Sequence, residues 1–207
     1  MKDAERYFRR GIAQLQLYPV GKTLSEMQAE YPGGELALMG TNENPLGASP
    51  RALTALREEL ARVHLYPDAS ALPLRRAMAS RLGIGEDMIL LANGADNVLT
   101  LVAAAFLNEG EEALMAAVTF SIYATAARIM GARPVEVPLR GHTHDLPAMR
   151  RAVTERTKLV FICNPNNPTG TIVHRGDLER FVRDLPARTL VILDEAYRDF
   201  VTDPEHA

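Results

Sequence analysis

Short apolar runs alternate with longer stretches of helical periodicity from residue 88 to the end of the chain. Met88–Ala92, Glu112–Ala117, Pro134–Pro138, Lys158–Cys163 and Thr189–Leu193 have strand length, and most are apolar almost throughout. The segments between them predict helices over Asp96–Leu107, Ile122–Met130, Leu146–Val153 and Arg175–Leu185, with Gly110 and Gly131 as stops. Five such strands separated by helices predict an α/β fold whose sheet is mainly parallel and covered on both faces.

Upstream the texture differs. Ser49 as N-cap and Pro50 at the first helical position open a helix through Arg62, and a second covers Leu72–Leu82 and ends at Gly83. Residues 1–45 read as an irregular arm, with one helical stretch near Asp3–Gln16 and turns at Pro19-Val20-Gly21 and Pro32-Gly33-Gly34. The expected organisation is an arm over 1–45 followed by one large domain over 46–207.

Composition narrows the function. The 207 residues carry 23 basic and 26 acidic side chains, a net charge of −3, which argues against electrostatic binding to nucleic acid. A single cysteine, Cys163, excludes a disulfide framework and an all-cysteine zinc site. The charged opening Met1-Lys2-Asp3-Ala4-Glu5-Arg6 and the lack of any long apolar run predict neither a leader nor a membrane span, and hence a cytoplasmic protein. The basic residues include only three lysines, Lys2, Lys22 and Lys158.

In sheets of this kind ligands bind beyond the carboxyl ends of the strands, so the residues that follow each strand are the candidates. Asn93-Gly94-Ala95-Asp96-Asn97 runs from a strand into a helix N-terminus; it suits an anion, or serves as an ordinary cap. Phe120 can stack on a flat ring or fill the core. Asn164-Pro165-Asn166-Asn167-Pro168-Thr169-Gly170 is a rigid turn whose asparagine amides remain free to hydrogen-bond a ligand. Asp194, at the end of a buried strand, needs a cation or donors to offset desolvation; it is a helix cap or a counter-ion for a protonated ring nitrogen. His142-Thr143-His144 lies in a polar loop with no third ligand at helical spacing, and Cys163 reads as a buried, inert thiol.

Asn166-Asn167-Pro168-Thr169-Gly170 followed by Asp194-Glu195-Ala196-Tyr197, with Asp194 27 residues after Asn167, resembles the class I/II aminotransferases that depend on pyridoxal 5'-phosphate, and most closely their histidinol-phosphate aminotransferase branch. Thr41-Asn42-Glu43-Asn44-Pro45-Leu46-Gly47, Tyr66-Pro67-Asp68, Gly94-Ala95-Asp96 and Phe120-Ser121-Ile122-Tyr123 fall in that family's order. The resemblance implies an aspartate-aminotransferase-like fold of type I, a three-layer α/β/α large domain. Ala95 and Asp96 would hold the cofactor phosphate, Phe120 would stack on its ring, and Asn167 and Tyr197 would bond its phenolic oxygen. Asp194 would keep the ring nitrogen protonated, making the ring an electron sink. Tyr66 would reach the cofactor of the second subunit in a homodimer, and Tyr18 with Asn42 would line the substrate pocket. Three positions depart from the family pattern: Asn97 stands in place of glutamate, Phe120 in place of tyrosine and Val118 in place of proline.

The reaction implied is transamination between histidinol phosphate and 2-oxoglutarate, a step of histidine biosynthesis. It needs a lysine as Schiff-base partner and proton shuttle. In the family that lysine follows the Asp-Glu-Ala-Tyr segment, and no lysine follows Asp194 here. The expectation is therefore an N-terminal portion that lacks its catalytic lysine and the last strands of its sheet. Such a chain would be inactive alone, and it would be poorly soluble through an uncovered edge at Thr189–Leu193. Related readings with the same motifs are a decarboxylase of phosphorylated threonine or an aminotransferase for aromatic or other amino acids. A non-catalytic binding fragment is the reading from another class.

Overall fold

In the computed structural model the residues described are 5–13, 15, 21–33, 36 and 39–206. Helices and strands in chain order are α1 Arg10–Ala13, α2 Leu24–Glu30, α3 Pro50–Glu59, α4 Leu72–Leu82, α5 Gly94–Phe106, β1 Glu112–Ala116, α6 Ile122–Ile129, β2 Arg133–Val137, α7 Leu146–Ala152, β3 Thr157–Cys163, α8 Arg175–Arg183 and β4 Leu190–Asp194. The chain divides into two compact units, one of Met1–Gln16 with Leu91–Ala207 and one of Leu17–Leu90.

The first unit is a parallel sheet in the order β2-β1-β3-β4 with helices on both faces. Alternation along the strands builds the two cores. Ala113, Met115, Leu159, Phe161 and Cys163 point to one face, under Leu99 and Ala103 of α5 and Tyr123, Ala126 and Ala127 of α6. Leu114, Val160 and Ile162 point to the other, under Leu146 and Met149 of α7 and Leu178 and Phe181 of α8. The spacing of the buried helical residues, three and four apart, is what a one-sided helix requires. The three-layer α/β/α architecture is the one expected.

Gly11 brings α1 against α6: a Cβ at that position would lie 1.9 Å from the Arg128 carbonyl oxygen. In the second unit α2 was not foreseen, although Thr23 and Glu26 form a capping box that reads directly in the sequence.

One expected strand is absent. Residues 89–92 pair with no strand among the described residues, and Met88 and Leu90 are largely exposed. The apolar run is present, but a strand exists only through hydrogen bonds to a neighbour. Among the described residues the sheet has four strands rather than five. Among the described residues β4 pairs with β3 alone; Leu190 is exposed and its other side chains are only half-buried. No helix among the described residues is long and apolar enough to cross a membrane.

At the amino end of the sheet the carboxylate of Glu112 is wholly buried. It accepts from Thr154 Oγ1 at 2.6 Å and pairs with Arg133 at 2.5 Å and Arg156 at 3.1 Å. Burial alone would raise its pKa. The Thr154 and Arg133 hydrogen bonds and the two guanidinium charges outweigh burial and hold it below the usual glutamate range. A carboxyl whose pKa is lower in the folded state stabilises the fold above the unfolded value of about 4.3 and loses that contribution as the pH falls through the folded value. Glu112→Ala is expected to lower stability by about 2–3 kcal/mol at neutral pH, with the gap to wild type closing on acidification. Urea denaturation across the pH range checks both.

Candidate functional site

The strand ends place two chain reversals side by side. Cys163, which ends β3, is in register with Asp194, which ends β4, and the Asn164 N–H donates to the Asp194 carbonyl at 2.8 Å. The half-buried Asp194 side chain is held at both oxygens. Oδ1 accepts from the Ala196 N–H at 3.0 Å and Oδ2 from the Tyr123 hydroxyl at 2.7 Å. Tyr123 is fully buried and stacks on Phe161, with centroids 4.7 Å apart and planes at 8°. Burial, followed by the negative charges that Cys163 and Asp194 can carry, pushes the Tyr123 hydroxyl far above its ordinary range, so it remains a proton donor. Phe120, half-buried, meets Tyr123 edge-on at 5.8 Å.

The asparagine loop separates into structural and available members. Asn164 is buried, donating to the Val173 carbonyl at 3.1 Å and accepting from the Val173 N–H at 2.9 Å. Asn166 is also buried; its amide donates to the Val118 carbonyl and to Thr169 Oγ1, and its oxygen accepts from Thr119 Oγ1 at 2.8 Å. The expectation that the loop's amides are free is therefore corrected for these two, which tie the loop to its neighbours. Asn167 is the exception. It is half-buried, and its Nδ2 donates to the Tyr197 hydroxyl at 3.5 Å, a long contact beside Asp194.

Gly94 begins α5 at φ +71°, a conformation that favours glycine. A short loop joins α5 to β1, so the N-terminus of α5 lies at the carboxyl edge of the sheet, with Ala95 and Asp96 exposed on its first turn. Asn97 closes the start of the helix, its Oδ1 accepting from the Asn93 N–H at 3.2 Å. The first turn thus keeps exposed N–H groups and the positive end of the dipole for an anion.

The structure brings Asp194, Asn167, Tyr197 and Phe120 together and sets the α5 N-terminus on the same edge of the sheet. Tyr66, fully exposed, and Asn42, at φ +56°, belong to the other unit, and Tyr18 lies outside the described residues. Among the described residues no lysine belongs to this cluster. Lys158 stands at the opposite end of β3, Lys22 pairs with Glu30 in the second unit, and Lys2 lies outside the described residues.

His144, read from the sequence as part of a polar loop, is buried, and its Nε2 lies 3.0 Å from the Cys163 carbonyl, a structural tie to the end of β3. Burial lowers its pKa, more than the hydrogen bonds to the Cys163 carbonyl and Asn166 raise it. No cluster of three potential metal ligands occurs among the described residues. Cys163 donates to the Pro165 carbonyl at 3.3 Å, and burial pushes its thiol up, in keeping with an inert role. A cavity of about 650 Å³ between α7 and α8, lined by His144, Arg150, His174 and Phe181, contains none of these site residues.

Tyr123 is the functional candidate that sequence reasoning missed. It stands at the end of the Phe120-Ser121-Ile122-Tyr123 run, and its i, i+3, i+4 spacing with Ala126 and Ala127 marks it as core. Nothing local reveals a contact with a residue 71 positions later.

Chemically, the arrangement suits a flat cationic heterocycle bearing an oxyanion and a phosphate. It offers a carboxylate for a protonated ring nitrogen, an aromatic side chain for the ring, an amide and a phenol for the oxyanion, and a helix N-terminus for the phosphate.

The family "Aminotransferase class I and II" matches residues 35–207. The histidinol-phosphate aminotransferase of Moorella thermoacetica is 45% identical over 194 residues, which are 94% of this chain and 50% of that protein. Among solved structures, the histidinol-phosphate aminotransferase of Sinorhizobium meliloti in complex with pyridoxal-5'-phosphate aligns with a TM-score of 0.86 and 26% identity, over 96% of this chain and 53% of that one. The L-threonine-O-3-phosphate decarboxylase of Porphyromonas gingivalis aligns with a TM-score of 0.65 and 28% identity, over 75% of this chain and 47% of that one. The chain spans about half the length of the curated relatives it matches.

Proposed function

Because the chain belongs to the class I and II aminotransferases, we propose that it supplies the pyridoxal-phosphate-binding part of an enzyme that transaminates histidinol phosphate with 2-oxoglutarate. The observation that carries the cofactor reading is the cluster at the ends of β3 and β4, where Asp194 is fixed at both oxygens beside the Asn167–Tyr197 pair. A likeness of 45% to a histidinol-phosphate aminotransferase supports the substrate.

A bound pyridoxal phosphate supplies the electron sink for a carbanion at the substrate's Cα. In this reading Asp194 keeps the ring nitrogen protonated by charge pairing, and Phe120 lies on the ring face. Asn167 and Tyr197 donate to the phenolic oxygen. The α5 N-terminus, through Ala95 and Asp96, binds the phosphate. Tyr66 reaches the phosphate of the second subunit's cofactor in a cytoplasmic homodimer, and Tyr18 with Asn42 lines the substrate pocket. The lysine that takes up and returns the proton is none of Lys2, Lys22 and Lys158.

The test compares this chain with a chimera that joins it to the part of the Moorella relative it does not match. Both are given pyridoxal phosphate and then borohydride, and both are assayed for glutamate formed from histidinol phosphate and 2-oxoglutarate. A reducible adduct and turnover in the chimera alone are expected. A specific, reducible adduct in the 207-residue chain would overturn the assignment of the lysine. Turnover of phosphorylated threonine to a decarboxylated amine in place of transamination would favour the decarboxylase reading, which the Porphyromonas structure supports more weakly through its lower TM-score.

A further inference from the structure

We propose that Tyr123 is a positioning residue for Asp194, aiming its carboxylate at the ring nitrogen through the hydroxyl–Oδ2 hydrogen bond while the stack on Phe161 holds the phenol in place. The inference rests on the pyridoxal phosphate reading above and adds to it a residue that the site motifs leave without a role.

Three observations carry it. The 2.7 Å bond joins α6 to the end of β4 across 71 residues of sequence, and Tyr123 has no solvent exposure that would let water replace it. The phenol cannot swing away, because Phe161 lies flat against it at 4.7 Å and Phe120 meets its edge at 5.8 Å. The second Asp194 oxygen accepts from the Ala196 N–H, so each carboxylate oxygen has its own donor. Phe120, the ring platform, and Asp194, the counter-ion, thus touch the same buried side chain, and the relative placement of stacking face and charge passes through Tyr123.

Tyr123→Phe keeps the stack and removes only the hydroxyl. The informative ligand pair is pyridoxal phosphate and its 1-deaza analogue, in which a C–H replaces the ring nitrogen, so that Asp194 has nothing to pair with. Binding of each by the 207-residue chain is followed by absorbance titration. The substitution is expected to weaken pyridoxal phosphate about tenfold, the scale of a hydrogen bond to a charged group, and the analogue by less than about twofold. In an Asp194→Asn background the same substitution is expected to have no further effect on pyridoxal phosphate, the signature of action through Asp194. Equal weakening of both ligands, or an undiminished effect in the Asn background, means that Tyr123 is merely structural and overturns the proposal; so does no weakening at all. A wild-type chain that binds neither ligand, or binds both equally, overturns instead the cofactor reading on which the proposal stands. Thermal melts of each variant confirm that the folded chain is being compared.

Discussion

Asp194→Ala is expected to abolish most of the transaminase activity of the chimera, lowering kcat/KM by about 10²–10³, the scale seen when one preorganised electrostatic group is removed. The carboxylate ends β4 half-buried, and it is held in one orientation by Ala196 and Tyr123. Without it nothing at the strand ends maintains a protonated ring nitrogen, and the cofactor loses most of its capacity to accept electrons. The alanine also removes the carboxylate that the buried Tyr123 hydroxyl donates to, which costs about 1–3 kcal/mol of stability. Asp194→Asn separates the two effects. Its single amide oxygen still accepts from one of the two donors, so the melting temperature should fall less than in the alanine variant while activity falls nearly as far. Steady-state kinetics beside thermal melts read both. An Asn variant with full activity would remove Asp194 from the proposed chemistry.

Phe161→Ala is expected to destabilise the first unit by about 3–5 kcal/mol, the range for truncating a buried phenylalanine. Phe161 sits in the middle of β3, an interior strand of the sheet, with no exposed surface. It packs among Ala113, Met115, Tyr123 and Leu159 under α5 and α6. Against a total of about 5–15 kcal/mol for an ordinary domain, a loss of this size leaves a substantial unfolded fraction. The damage extends to function, since Tyr123 loses the face it stacks on and Asp194 its fixed donor. The shift in the urea midpoint measures the stability term. Phe161→Leu, which retains most of the volume, should lose less than half as much. A loss below about 1 kcal/mol for the alanine would show that the site collapses around the gap.

How much of this was legible in the sequence depends on the range of each signal. Turn chemistry, caps and periodicity are local, so α4 with its Gly83 stop, the apolar runs of β1 and β3, and the alternation that divides Leu159 and Phe161 from Val160 and Ile162 could all be read from the chain. The motifs that mark the family are equally local, and they single out Asn167, Asp194 and Tyr197 before any coordinates are known.

Tertiary structure decided what depends on partners. Residues 89–92 have a strand's composition, yet ladder hydrogen bonds come from a neighbour and the described residues supply none. Three asparagines in one loop look alike in sequence; burial against Val118, Thr119 and Val173 commits Asn164 and Asn166 to structure and leaves Asn167 facing Tyr197. His144 reads as a loop histidine until the end of β3 supplies an acceptor and excludes water. Tyr123 reads as core by its helical spacing, and it is core. Only the packing of α6 over β3 and β4 carries its hydroxyl to Asp194, because desolvation and hydrogen bonding act through space between groups that the chain keeps 71 residues apart.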